Sequence, residues 1–200
     1  MLRQEGRAKR PSDNTQPKQI AFIQCVGSRD AKLKHLWCSK VCCGSALRMA
    51  RLIKARQPET KITFFYIDIQ TFGKDFEIFY KDVKEDVRMI RAIPGDILKT
   101  KDDLLRITFA DNNTHETIEK IFDLVVLSIG ITPCTGAQDM AGLLNIELDD
   151  TGFFSTVEKC GSTSKNGIFT AGTAMGPMSI AETVASSGNT AWRTLKYLNS

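Results

Sequence analysis

QIAFIQCV at 19–26, CCGSALRMARLIKAR at 42–56 and KITFFYIDI at 61–69 decide the fold. The first is a short apolar run rich in β-formers that ends at Gly27-Ser28, a turn signal, and it reads as a buried strand. In the second, apolar residues at 43, 46, 47, 49, 50, 52 and 53 form a broad helical stripe, with Arg48, Arg51 and Lys54 on the other face and Pro58 beyond its end. The third reads as another strand. Strand, helix and strand in succession predict a parallel pair joined by a right-handed crossover.

The pattern extends outward from that unit. Asp75 to Glu85 predicts a helix with Phe76, Phe79, Tyr80 and Val83 on one side. VRMIRAI at 87–93 predicts a third strand, stopped by Pro94-Gly95. Residues 104–109 and 117–122 flank Asp111-Asn112-Asn113, the signal of a hairpin turn. DLVVLSI at 123–129 is the most hydrophobic run and predicts a central strand. Residues 19–131 thus read as a small α/β, Rossmann-like domain. The segment 132–200 differs. A Gly-rich stretch leads to Gly152-Phe153-Phe154, a predicted strand at GIFTAG (167–172), and a long helix over 180–198 carrying Ile180, Val184, Ala185, Ala191, Trp192, Leu195 and Leu198. Upstream, residues 1–18 set Arg3, Arg7, Lys9, Arg10 and Lys18 against Glu5 and Asp13, with Pro11 and Pro17 and no apolar run; they read as a flexible basic N-terminal arm.

Composition narrows the function classes. The apolar fraction of 42% and charged fraction of 25% are ordinary for a soluble globular chain. A net charge of +4, from 27 basic and 23 acidic side chains, is too mild to argue for nucleic acid. No apolar signal region precedes residue 19, and the longest apolar stretch, Ile121 to Cys134, is broken by Asp123 and Gly130 short of the roughly 20 residues a span needs. The expectation is a cytoplasmic chain without direct membrane insertion, in which six cysteines point to metal or redox chemistry more than to disulfides.

Four of those cysteines lie within nineteen residues: Cys25, Cys38, Cys42 and Cys43, a C-x12-C-x3-C-C array. Four thiolates are the number that closes a cubane [4Fe–4S] site. Cys25 falls at a strand end and Cys42-Cys43 at a helix start, where free N–H groups and the helix dipole favour an anionic group. Three other readings stay open on the residues alone. A structural Zn(Cys)4 site uses the same ligands, though it normally pairs them as C-x2–4-C twice. The thiols could also be buried and inert, or include a redox dithiol. Cys134 and Cys160 stand apart and read as packing residues. No G-x-G-x-x-G occurs, so a nicotinamide site is not expected. His35 and His115 lie in polar loops, and no catalytic residue is singled out.

IQCVGSRD, CSKVCCGSALRMA, FFYIDIQTFGKDFEIFY, DLVVLSIGITP, GFF and GIFTAG-x3-GP-x-SIAETVASS, in that order over residues 19–198, resemble the flavin-containing A subunit of heterodisulfide reductase. They also resemble the related subunits of an electron-transfer complex of sulfate reducers. The resemblance implies a Rossmann-like domain of the thioredoxin-reductase-like FAD/NAD(P) flavoprotein superfamily, followed by the C-terminal part of the FAD-binding domain. It implies Cys25, Cys38, Cys42 and Cys43 as ligands of a [4Fe–4S] cluster that relays electrons to or from FAD. Ser128-Ile129-Gly130 with Pro133 resembles the Ala-Thr-Gly-like strand end of that superfamily, and GIFTAG resembles its Gly-Ile-Phe-x-Ala-Gly-Asp motif. Thr173 stands where that motif has its Asp, so a hydroxyl replaces a carboxylate, and Met178 stands where relatives often carry Lys. The flavin set so implied is Ser128, Gly130, Pro133, Gly172, Thr173, Ser179 and Ile180. Further implied are other subunits of a heterodisulfide-reductase-like complex and ferredoxin or hydrogenase-type electron donors as partners, with a homo-oligomer left open. The same resemblance implies a middle-to-carboxyl piece of a larger oxidoreductase subunit, with an incomplete FAD site and no activity alone.

Overall fold

The computed structural model describes residues 6–112, 114–157 and 161–200. The chain divides into two compact units, Met1–Gly27 with Cys42–Ile129, and Ser28–Val41 with Gly130–Ser200. The cysteine-bearing loop 28–41 therefore groups with the second unit, not with the sheet domain in which the sequence sets it.

In the first unit, strands β1 (Gln19–Val26) and β2 (Lys61–Phe65) pair in parallel through helix α1 (Cys42–Arg56), as the period switch predicts. Helix α2 (Phe76–Asp86) then leads to β3 (Arg88–Ile90), and β7 (Leu124–Ile129) returns to the other side of β1. The sheet order is β3-β2-β1-β7. The hydrophobic run at β7 is thus at the end of the order, not central, with Ile129 70% exposed; apolar composition reports burial of faces, not rank in the ladder. Strands β4 (Asp96–Lys99), β5 (Leu105–Ala110) and β6 (Thr117–Phe122) form a separate antiparallel sheet. The hairpin β5–β6 is legible in the sequence. β4 is not, because it is short, follows a Pro-Gly stop and exposes Ile97 and Leu98. β2 and β3 are also shorter than the runs 61–69 and 87–93.

Side-chain alternation sends each β1 residue to one of two cores. Ile20 and Phe22 join Ile62, Phe64 and the α1 residues Ala46, Leu47, Ala50 and Ile53 on one face. The rings of Phe22 and Phe64 stack there with centroids 4.8 Å apart. Ala21 and Ile23 join Phe65 and the antiparallel sheet's Ile107, Phe109 and Phe122 on the other. Phe65 meets Phe109 and Phe122 edge-on, at 4.9 and 6.1 Å. The arginines off the α1 stripe, Arg48 and Arg51, lie over the Phe79 ring of α2 at 5.8 and 5.5 Å.

Residues 6–18, expected as a flexible arm, are fastened to this unit. Gln57 bonds Ala8 on both sides, accepting from its N–H at 2.6 Å and donating to its carbonyl at 3.2 Å. Arg10 pairs with Asp103 at 2.7 Å, and Thr60 donates to the Pro17 carbonyl at 3.0 Å. Specific polar anchors hold a segment that has no apolar run of its own. Residues 1–5 lie outside the described residues, as do Asn113 of the hairpin turn and Cys160.

The second unit holds α3 (Ala137–Leu144), a 3-10 turn (Gly172–Met175) and α4 (Ile180–Leu198). α3 lies within the stretch read as Gly-rich. GIFTAG is not a strand: Phe169 makes one isolated bridge to Ser162, and Gly172 turns left-handed at φ 64°. α4 matches its predicted span, yet its apolar residues Ile180, Val184, Trp192, Leu195 and Leu198 are all exposed. Among the described residues, no helix is long and apolar enough to cross a membrane.

The Phe22–Phe64 stack gives the first prediction. Phe64→Ala should lower the unfolding free energy by about 3–5 kcal/mol, measured by urea denaturation. A loss under about 1 kcal/mol would show that this stack is not the centre of the core.

Candidate redox site

β1 approaches its carboxyl end as a regular strand and then breaks. Cys25 takes a left-handed backbone, φ 61°, and the pairing with β7 shifts register between Ile23 and Val26. A non-glycine residue in this region costs roughly 1–2 kcal/mol, so some other interaction holds it there. The break sets Cys25 against the start of α1. The backbone N–H groups of Cys43, Cys42 and Cys25 lie close enough to the Cys42 sulfur to favour its ionised form. The Cys43 thiol donates to the same sulfur, and that bond is the main reason Cys42 ionises more readily than an ordinary thiol. Cys43 is held protonated for the complementary reason, by its bond to Cys42, by burial and by the nearby charges of Cys42 and Cys25. Its sulfur lies 4.0 Å from the Asp68 carbonyl. The Tyr80 phenol is also harder to ionise, first through burial and then through Tyr66 and Cys43 beside it.

Three of the four predicted thiols, Cys25, Cys42 and Cys43, are therefore neighbours in the first unit. Among the described residues, no three Cys, His, Asp or Glu side chains are arranged to close on a single metal ion. A cubane carries its thiolates on four separate iron corners and needs them farther apart than one ion does. Two observations fit such a group: a donor set of thiols at a helix N-terminus, one of them ionising more readily than an ordinary thiol, and a buried Gln24 carboxamide whose nitrogen and oxygen both lack partners among the described residues.

Cys38 belongs to the second unit. Its sulfur accepts the Lys40 N–H at 3.3 Å. The loop around it is well clamped. Trp37 donates its indole N–H to the Ile131 carbonyl at 2.9 Å, and Ile131 N–H donates to the Ser39 hydroxyl at 2.7 Å. The Trp37 ring packs edge-on against Phe153, 5.8 Å away, and the His35 ring lies 4.9 Å from Trp37. Lys40 crosses to α4 and pairs with Glu182 at 2.5 Å. Cys134, read as a packing residue, is exposed in the turn before α3.

Of the implied flavin set, Ser128 lies in the sheet of the first unit, whereas Gly130, Pro133, Gly172, Thr173, Ser179 and Ile180 lie in the second. Gly172 packs its backbone on α4, where a β-carbon would come within 2.9 Å of Thr183. Its N–H is taken by the Ser186 hydroxyl at 3.1 Å. Ser179 caps α4 in a reciprocal box: its hydroxyl accepts the Glu182 N–H at 3.2 Å, and the Glu182 carboxylate accepts the Ser179 N–H at 2.8 Å. Thr173 and Ile180 are exposed beside a cleft of about 340 Å³ that Lys40, Met175, Met178 and Glu182 help to line.

Sequence reasoning misses Lys40, Gln24 and Trp37. Lys40 and Glu182 lie 142 positions apart, and no local signal joins them. Gln24 reads simply as part of a strand.

The first unit has an α/β fold with a parallel sheet, and its thiols gather at the carboxyl end of β1 and the start of α1. The structure superposes on thioredoxin reductase of T. acidophilum with a TM-score of 0.62 at 17% identity, covering 92% of this chain and 53% of that one. The Lactococcus lactis thioredoxin reductase gives 0.60 at 18%, covering 90% of this chain and 52% of that one. No protein-family model matches the chain. Over about nine-tenths of its length, however, the chain is homologous to the A-type polypeptide of heterodisulfide reductase. It is 41% identical over 188 residues to the A-type iron–sulfur polypeptide of the CoB–CoM heterodisulfide reductase of Methanocaldococcus jannaschii, a match covering 90% of this chain and 28% of that protein. Against the corresponding polypeptide of the H2:CoB-CoM heterodisulfide,ferredoxin reductase of Methanothermobacter marburgensis it is 35% identical over 194 residues, 94% of this chain and 29% of the relative. Against that of the ferredoxin:CoB-CoM heterodisulfide reductase of Methanosarcina acetivorans the values are 37% over 203 residues, 97% and 25%. The chain thus spans between a quarter and a third of the relatives it matches.

Glu182 offers a direct check on the Lys40 bridge. The Lys40 ammonium, followed by the Ser179 N–H, lowers its carboxyl from 4.5 to about 2. A depressed carboxylate contributes its stabilisation above pH 4.5 and loses it as pH falls through about 2. Carbon-13 NMR titration should read about 2 in the wild type and a value moved toward 4.5 in Lys40→Met. A wild-type value near 4.5 would contradict the bridge.

Proposed function

We propose that the chain is an electron-transfer module of a heterodisulfide-reductase-like oxidoreductase, with Cys25, Cys38, Cys42 and Cys43 as the ligands of one [4Fe–4S] cluster. When bound, such a cluster supplies one-electron transfer, and a flavin exchanges one or two electrons. The single observation that carries the reading is the left-handed turn at Cys25, which sets its backbone against the paired cysteines opening α1. The names of the relatives support it: some are iron–sulfur subunits, and others are named for ferredoxin or hydrogen.

Each residue has a part in this reading. The Cys42 thiol ionises more readily than an ordinary thiol, which suits it to bind iron as a thiolate. The N–H groups at the start of α1 and the helix dipole would favour an anionic cluster bound through Cys42 and Cys43. The Trp37, Ser39 and Lys40 contacts hold Cys38 at a fixed place in its loop. FAD is the second cofactor, with Gly130, Pro133, Gly172, Thr173, Ser179 and Ile180 along one edge and the Thr173 hydroxyl and α4 N-terminus as donors. Partner subunits and a ferredoxin or hydrogenase-type donor complete the electron path.

The ligand assignment is open to test. Cys38→Ala and Cys43→Ala, reconstituted with iron and sulfide without oxygen, should each lose the visible absorption and the low-temperature EPR signal of the reduced cluster. A variant that keeps both at wild-type intensity removes that residue from the ligand set.

A further inference from the structure

Gln24 and Ser128 are an unusual pair for a sheet interior. Gln24 is 6% exposed and Ser128 9% exposed. Neither the carboxamide nitrogen and oxygen of Gln24 nor the Ser128 hydroxyl has a hydrogen-bond partner among the described residues. Leaving such a group unpaired is costly, and buried polar groups in native proteins are nearly always bonded. An apolar residue would avoid the cost, as Ile20 and Phe22 do earlier on the same face of β1.

Their location says what they face. β1 and β7 run parallel, with Ile23 paired to Leu127 and Val26 to Ile129, so Gln24 and Ser128 are neighbours at the carboxyl ends of adjacent strands. Two residues earlier, Phe22 and Val126 pack against the α1 face. Alternation puts Ser128 on that face too, and Gln24 follows Phe22 by two residues at the point where the β1–β7 register shifts, with its side chain buried. This is the face covered by α1, and at this end α1 opens with Cys42 and Cys43. Gln24 also precedes Cys25 directly.

We infer that the Gln24 carboxamide nitrogen donates a hydrogen bond to sulfur of the iron–sulfur cluster and raises its reduction potential, while Ser128 is the positioning residue that holds the carboxamide in that orientation. The inference rests on the cluster reading above. The two side chains do not bond each other in the structure; with the cluster bound, rotation of the Ser128 hydroxyl toward the Gln24 oxygen would fix the amide with its nitrogen toward the thiols and give all three orphaned atoms a partner. Reduction adds one electron to an already anionic cluster, and a donor stabilises the more negative state more strongly. The side chain of Ser128 is thereby assigned to the cluster, not to the flavin set that its motif implied.

The test is an EPR-monitored redox titration of the full chain, reconstituted without oxygen, with iron and sulfide assayed on the same samples. Gln24→Leu should keep full iron and sulfide and shift the reduction equilibrium roughly tenfold toward the oxidised cluster, ~59 mV for one electron. Ser128→Ala should shift it the same way by less. The metal-free chain should respond oppositely, with Gln24→Leu melting above the wild type because an unpaired buried amide has gone. Full cluster content with an unshifted potential overturns the inference and leaves the cluster reading standing. A wild type that takes up no iron and sulfide overturns both. If Gln24→Leu does not fold, Ser128→Ala, which removes one oxygen atom, decides the matter by the same shift or its absence.

Discussion

Burial of Phe22 and Phe64 beneath α1 is the constraint on which the rest of the first unit depends. The stack fixes β1 against β2, and the apolar stripe of α1 fixes the helix over both. Once those three elements are locked, the carboxyl end of β1 and the amino end of α1 have nowhere else to go. The two places where thiols occur in this unit are those two ends. Cys25 can then be held in a backbone conformation it would not adopt alone, because a core worth several kilocalories per large side chain stands behind it. Electrostatics follows from the same geometry. The Cys43 side chain, followed by nearby backbone N–H groups, favours the ionised form of Cys42.

The second unit is built differently. It has little regular structure and relies on close backbone approaches and polar clamps. Gly172 rests on Thr183, Trp37 and Ser39 bracket Ile131, and Lys40 reaches the capping box of α4. These contacts tie the loop of Cys38 to the helix start that the flavin reading singles out. The long helix itself presents a row of exposed apolar side chains, from Ile180 to Leu198.

How much of this is legible in the sequence follows from how local each signal is. The β1–α1–β2 unit is readable because its hydrophobic period changes from strand to helix and back within residues 19–65. The four thiols are visible by spacing, and the flavin-side residues only through resemblance of motifs. β4 hides behind Pro94-Gly95, and the expected strand at GIFTAG yields to the left-handed turn at Gly172. The arm at 6–18 looks free because its anchors, Gln57, Thr60 and Asp103, lie far along the chain. Gln24 looks like an incidental polar residue until its burial and its missing partners are seen together. What stays hidden in each case is a long-range polar contact or a backbone conformation, neither of which leaves a periodic trace.

The central claim is that the four cysteines hold one iron–sulfur cluster, and it is most directly tested by metal analysis. Iron, acid-labile sulfide and zinc should be assayed per chain, on protein purified or reconstituted without oxygen. The account predicts about four iron and four sulfide per chain with little zinc. Near-stoichiometric zinc, in protein that still resists cluster assembly, would contradict it and leave a structural scaffold in place of an electron relay.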